Sequence, residues 1–216
     1  MQNRLQRPNF NGRGNVEWVF IDGYNEGIRH LLKNASNLPA IPGDITRQPV
    51  LIFIKDFSEV DLRRMERFIE ILIEGGMQLE LRFDKCGNHP LVVPLFKFIP
   101  MSVRVSFDDS ELNPATAVEI AACFNRERIP YISLKFLSFH SCGLTDDAME
   151  HMLSCVPIIE MVDVTNNDVS ITWFKTLYYV INQVNGNVPL KRLVVGNKNL
   201  KHVKKLFKLY PTIEIL

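Results

Sequence analysis

The sequence predicts an α/β protein of about seven β–α units, with a parallel sheet on the concave side and helices on the convex side. Three observations carry this expectation. Apolar pairs two residues apart recur at Val19/Ile21, Ile52/Ile54, Leu81/Phe83, Val105/Phe107, Leu137/Phe139, Val162/Val164 and Leu193/Val195, and a two-residue period marks a strand with one buried face. The stretches between these pairs carry helical periodicity and capping residues. The chain, 216 residues of which 46% are hydrophobic, can bury a large core.

Taken in order, the copies begin at Val16, Pro49, Gln78, Ser102, Leu134, Ile159 and Leu190, with spacings of 33, 29, 24, 32, 25 and 31 residues. Residues 1–15 read as a disordered tail and 16–48 as an N-terminal capping repeat. After the second strand, "SEVDLRRMERFIEILIEGG" predicts a helix. Ser58 is its N-cap with capping-box spacing to Asp61, Leu62, Met65, Phe68, Ile69, Leu72 and Ile73 form its apolar face, and Gly75 is its stop. Asn113 followed by Pro114 supplies the cap and first turn of another helix. "DDAMEHMLSCVP", "SITWFKTLYYVINQV" and "LKHVKKLFKLYP" give three more, with Pro157 and Pro211 as terminators. In "YPTIEIL", residues 210–216, the alternation of Ile213 and Ile215 predicts a capping strand.

The later copies carry a sharper signature. "LKFLSFHSCGL", residues 134–144, fits LxxLxLxx(N/C)xL at every defined position, "IEMVDVTNNDV" at 159–169 fits it again, and "LKRLVVGNKNL" at 190–200 departs only at Lys198. On these motifs residues 16–216 resemble the leucine-rich repeat superfamily, nearest its ribonuclease-inhibitor-like and cysteine-containing types. That resemblance implies a solenoid of stacked units. It also implies a non-enzymatic adaptor or scaffold that binds another protein through exposed strand residues at the third, fifth and seventh positions, with no catalytic residue, cofactor or metal. The implied contact residues are Trp18, Phe20, Phe53, Glu80, Arg82, Asp84, Arg104, Asp108, Phe136, His140, Met161, Asp163 and Arg192. The bland reading of the same face is a solvated lattice in which Glu80 neutralises Arg104 and Arg82 neutralises Asp108.

Charge is unevenly distributed. Residues 169–213 hold eight Lys or Arg and no acid, while the whole chain carries +1, so the remainder carries −7. Lys201, Lys204, Lys205 and Lys208 fall on the outer face of the last predicted helix, opposite Val203, Leu206, Phe207 and Tyr210. Such a basic patch favours an acidic segment of a partner protein, with a nucleic-acid backbone as the weaker alternative because interleaved aromatics for base stacking are missing. The four cysteines form no CxxC pair, and the first fifteen residues hold three Arg, no acid and no apolar core. Free thiols and an intracellular location, cytoplasmic or nuclear, are therefore expected, with a mitochondrial one compatible with the basic opening. No apolar run is long enough to insert in a membrane.

Residue types for other chemistries are present as well. The opening of "NVEWVFIDGYNEGIRHLL", a strand ending in Asp22-Gly23, resembles that of the PIN/NYN-like ribonucleases, in which the aspartate helps hold magnesium. Asp56, Asp84 and Asp108 also stand at strand ends. These acids recur once per copy instead of converging on one point, so Asp22-Gly23 reads as a turn. His140, Cys142, His151 and Cys155 are zinc-ligand types, but the expected sheet separates His140 from the following helix. Cys86 and Cys142 read instead as structural cysteines of the repeat. The repeats also resemble the substrate-recognition half of F-box ubiquitin-ligase receptors, with no F-box-like three-helix segment expected in the fifteen residues before the first copy.

Overall fold

The computed structural model describes residues 50–54, 59–74, 76, 78–124 and 132–216. The expectations for the tail, the 16–48 capping repeat with Trp18, Phe20 and Asp22, and for Asp56, Ser58 and Gly75 lie outside the described residues. Seven strands form one parallel sheet whose spatial order follows the chain. They are β1 Val50–Ile54, β2 Leu79–Phe83, β3 Arg104–Ser106, β4 Phe136–Ser138, β5 Met161–Asp163, β6 Arg192–Val194 and β7 Glu214–Ile215. Five α-helices lie between them among the described residues: α1 Glu59–Glu74, α2 Pro114–Ala122, α3 Asp146–Glu150, α4 Ile171–Gln183 and α5 Asn197–Leu206.

The apolar pairs of the sequence become two continuous rows. Ile52, Leu81, Val105, Leu137, Val162, Leu193 and Ile215 stand opposite one another across the sheet, and all are buried. The sixth positions, Ile54, Phe83, Phe107, Phe139, Val164 and Val195, are buried beside them. Phe83 stacks on Phe107 with centroids 4.6 Å apart, Phe107 on Phe139 at 5.7 Å, and Phe96 meets Phe83 and Phe107 edge-on at 5.6 Å. Burial of each such ring contributes about 1.5–3 kcal/mol, and edge-on and offset arrangements add to it. The frame therefore holds in the copies that begin at Pro49, Gln78 and Ser102 as well as in the later ones, while Val19 and Ile21 lie outside the described residues.

Copy length selects the kind of helix on the return path. Among the described residues, the 29- and 31-residue copies that begin at Pro49 and Ile159 contain the longest α-helices, α1 and α4. In the 24-residue copy that begins at Gln78 the return is a nine-residue 3-10 helix, Pro90–Phe98, which the sequence reading did not anticipate. At a rise of about 2.0 Å per residue it spans about 18 Å, close to the roughly 20 Å of the thirteen-residue α4 at 1.5 Å per residue. The 25-residue copy beginning at Leu134 behaves likewise: α3 lasts one turn and passes into 3-10 turns at His151–Ser154 and Val156–Ile158. Its "DDAMEHMLSCVP" was expected as one helix, and Pro157, which lacks an N–H and restricts the residue before it, favours the tighter form.

The capping expectations hold where they are described. Asn113 Oδ1 accepts the N–H of Thr116 at 2.8 Å and Pro114 opens α2; Ser170 Oγ accepts the N–H of Thr172 at 3.0 Å at the start of α4. Helix α4 ends with Asn185 in the left-handed region, the N–H of Gly186 donating to the carbonyl of Ile181 and that of Asn185 to Asn182, both at 3.0 Å, the Schellman pattern.

Two further features repeat from copy to copy. The eighth residue of four copies, Lys85, Asp109, Ser141 or Asn166, has φ between 54 and 57°, so β2, β3, β4 and β5 leave the sheet through the same left-handed turn, whereas Asn197 at this position opens α5. The ninth residue then points inward and donates to the sixth-position carbonyl of the preceding copy: Cys86 Sγ to Ile54 at 3.1 Å, Ser110 Oγ to Phe83 at 3.0 Å, Cys142 Sγ to Phe107 at 2.8 Å and Asn167 Nδ2 to Phe139 at 2.7 Å. Ser110 was missed because the pattern names only Asn and Cys; the physical requirement is a short side chain with a donor. Lys198, at the ninth position of the Leu190 copy, turns outward to Asp168 at 3.0 Å, and Asn199 next to it donates to the Val169 carbonyl at 2.7 Å.

Candidate partner-binding face

Because alternate strand residues point to opposite faces, burial of the fourth and sixth positions puts the third and fifth on the face away from the helices. The third-position row runs Leu51, Glu80, Arg104, Phe136, Met161, Arg192, Glu214. The fifth-position row runs Phe53, Arg82, Ser106, Ser138, Asp163, Val194. Neighbouring strands lie about 4.8 Å apart, close enough for opposed side chains to pair.

Two arginines dominate the first half of this face. Arg82 lies opposite Phe53 with its guanidinium 5.4 Å from the ring centroid, and Arg104 lies opposite Phe136 at 4.8 Å. Both arginines are exposed while the rings beneath are half-buried. A guanidinium held over an aromatic face gains about 0.5–1 kcal/mol and keeps its N–H edge free to meet a planar acceptor. Arg104 Nε also stands 3.8 Å from Glu80, a loose contact of an exposed pair worth little.

The expected partnership of Arg82 with Asp108 does not form. Asp108 instead accepts the hydroxyl of Ser138 at 2.7 Å from the next strand, and Arg82 turns the other way, to Phe53. Arg192 pairs with Glu214 at 2.9 Å; Glu214 was absent from the expected contact residues, although "IEIL" carries the same strand frame and puts it at a third position. Met161 is half-buried between Phe136 and Arg192 in the row.

At the strand ends a polar chain crosses two copies. Both the N–H and the hydroxyl of Thr165 donate to Asp163 Oδ1, at 2.8 and 2.7 Å. With its proton so used, Thr165 Oγ1 accepts from His140 Nδ1 at 2.6 Å, and His140 Nε2 is left to accept from Asn166 Nδ2 at 3.3 Å. In this arrangement Nδ1 serves as the donor and Nε2 as the acceptor. Asp84, at the corresponding position of its copy, is half-buried.

The remaining candidate ligands are dispersed. Cys142 and Cys155 are buried, Cys155 Sγ donating to the carbonyl of Met152 at 3.3 Å, whereas His151 is exposed on a 3-10 turn. Burial pushes the Cys142 and Cys155 thiols up to about 12 and that of Cys123 to about 11. Among the described residues no group of three or more His, Cys, Asp or Glu side chains surrounds a common point, and no helix is long and apolar enough to cross a membrane. Lys201, Lys204, Lys205 and Lys208 are exposed on α5 and its 3-10 extension, with Val203 and Phe207 buried beneath. No protein-family model matches the chain, and no curated protein is significantly similar to it.

Proposed function

We propose that the chain is a leucine-rich repeat solenoid acting as a non-enzymatic adaptor, which captures another protein on the sheet face opposite its helices, as a subunit of a larger assembly. The observation that carries this reading is the pair of arginine-over-aromatic contacts, Arg82 on Phe53 and Arg104 on Phe136. They present oriented guanidinium groups and flat apolar surface side by side, the residue types that supply most binding energy in protein interfaces. The copy-to-copy ladder of ninth-position donors supports the repeat assignment. Around the arginines, Glu80, Asp108, His140, Asp163 and Arg192 supply the polar margin of the surface, and Met161 adds apolar area between Phe136 and Arg192.

The test is affinity purification from cells with the wild-type chain and with Arg82→Glu combined with Arg104→Glu. The double variant should keep its circular dichroism, because both side chains are exposed, should melt only slightly lower for the loss of the two ring contacts, and should lose the specifically captured proteins. Retention of every partner would sink the assignment of this face. Cleavage of single-stranded RNA by purified protein in magnesium or manganese, abolished in Asp22→Asn, would replace the adaptor reading with a PIN/NYN-like ribonuclease.

A further inference from the structure

We infer a second docking surface, separate from the sheet face, on the lysine side of α5, and its occupant is an acidic protein segment that also carries aliphatic side chains. The count of eight cations between residues 169 and 213 overstates the field there, since three of them are neutralised. Lys191 meets Glu160 at 3.1 Å, Arg192 meets Glu214 at 2.9 Å, and Lys198 meets Asp168 at 3.0 Å. Elsewhere Lys97 is shared by Glu66 and Glu70. Lys201, Lys204, Lys205 and Lys208 differ from these: all are exposed, and no carboxylate pairs with them among the described residues.

Their spacing concentrates the charge. Positions i, i+3, i+4 and i+7 fall on one side of a helix, so Lys201 faces Lys204 and Lys205, and Lys208 faces the same two. Like charges at these separations destabilise a helix. The helix dipole compensates Lys204 and Lys205, which lie in the last turn of α5, but not Lys201. The fold therefore holds a positive stripe that the dipole compensates only in part, and whose remaining self-repulsion a polyanion would relieve.

Apolar exposure at the same end selects among polyanions. Leu209, one turn beyond Lys205, is 74% exposed, and Leu216 is 42% exposed. Bases would need aromatic platforms, yet on this segment Phe207 is buried and Tyr210 is half-buried with its hydroxyl donating to Asn182 at 2.6 Å, and the single exposed ring among the described tyrosines of α4, Tyr179, belongs to the neighbouring helix and not to the lysine segment. Aliphatic surface beside a lysine stripe fits an amphipathic acidic peptide better than a phosphate backbone.

The test uses the full chain and fluorescence anisotropy with three probes: a labelled Glu-rich peptide containing leucines, the same peptide with serines in place of the leucines, and a uridine oligonucleotide of matched charge. The leucine-containing peptide should bind best. Its affinity should fall about tenfold or more when Lys201, Lys204, Lys205 and Lys208 are all changed to Gln, and should weaken with added salt as exposed charges are screened. Leu209→Ser should weaken it severalfold, while Arg82→Glu with Arg104→Glu should leave it unchanged, which separates this surface from the sheet face. The lysine variant should melt close to wild type, because the repulsion it removes offsets the dipole interaction lost at Lys204 and Lys205. Equal or tighter oligonucleotide binding would assign the stripe to nucleic acid. Binding indifferent to the lysines, to Leu209 or to the peptide's leucines, or absent for all three probes, would overturn the proposal.

Discussion

Asn167 Oδ1 accepts the backbone N–H of Cys142 at 3.0 Å, while its Nδ2 donates to the carbonyl of Phe139 at 2.7 Å. The same oxygen takes the N–H of Leu144 at 3.0 Å, and the same nitrogen reaches the carbonyls of Val164 and Thr165. One amide thus satisfies backbone groups of two successive copies that neither could satisfy alone.

Asn167→Ala should therefore cost about 2–4 kcal/mol in urea unfolding, since several backbone groups lose their partner at once. Ser110→Ala removes a single donor and should cost about 1–2 kcal/mol. Lys198→Asn, which restores the repeat pattern, should change stability by less than about 0.5 kcal/mol because Asn199 already bonds the neighbouring copy. A large gain in Lys198→Asn would show that the substitute bond is ineffective.

Leu137 sits fully buried at the centre of the fourth-position row. Leu137→Ala should lower unfolding free energy by about 2–5 kcal/mol, combining lost transfer energy with an unfilled cavity. Stacked copies share their interfaces, so hydrogen exchange should quicken in β3 and β5 as well as in β4. Acceleration confined to β4 would contradict that coupling.

Two glycines distinguish crowding from backbone conformation. A Cβ at Gly87 would lie 2.8 Å from both Leu112 Cδ2 and Phe107 Cδ1 and 3.0 Å from Ser110 Cβ, so Gly87→Ala should cost about 1–3 kcal/mol by overpacking. At Gly143 nothing lies within 4 Å, but φ is +64°. Gly143→Ala should cost about 1–2 kcal/mol, the left-handed penalty, and Gly143→Asn should cost less. If alanine and asparagine are equally harmful at 143, local backbone conformation is not the cause.

The buried cysteines give a pH signature. Cys142 and Cys155 hold their protons to about 12, against an ordinary value of 9.0, because burial disfavours the thiolate. The unfolded chain ionises first as pH rises, so these groups add stability that is fully present below about pH 9 and is lost between there and pH 12. In native protein at pH 8, Ellman's reagent should leave both unmodified until urea is added. Prompt labelling of Cys142 in the native state, mapped by mass spectrometry, would contradict its inward placement.

The strand frame was legible because it rests on a two-residue period with strong contrast, and a one-residue slip would have exposed Leu81 or Phe83. The short 3-10 return of the Gln78 copy was not, since "PLVVPLFKF" is apolar almost throughout and lacks a clean helical stripe; the copy's length held the clue. Arg82 illustrates a different limit. Sequence spacing put it within reach of Asp108, but the Ser138 hydroxyl competes for that carboxylate and a ring competes for the guanidinium, and only side-chain positions decide such contests. The third-position row was readable from the frame, whereas the His140–Thr165–Asp163 chain needed the turn geometry that brings the strand ends together.

Spatial order that follows chain order has a consequence for biosynthesis. Every strand pairs with the one made just before it, and no strand waits for a partner encoded far downstream. On the ribosome, each newly exposed copy can dock on an already assembled sheet edge as it leaves the exit tunnel. The growing edge of the sheet thus moves forward with translation, strand by strand, from β1 to β7.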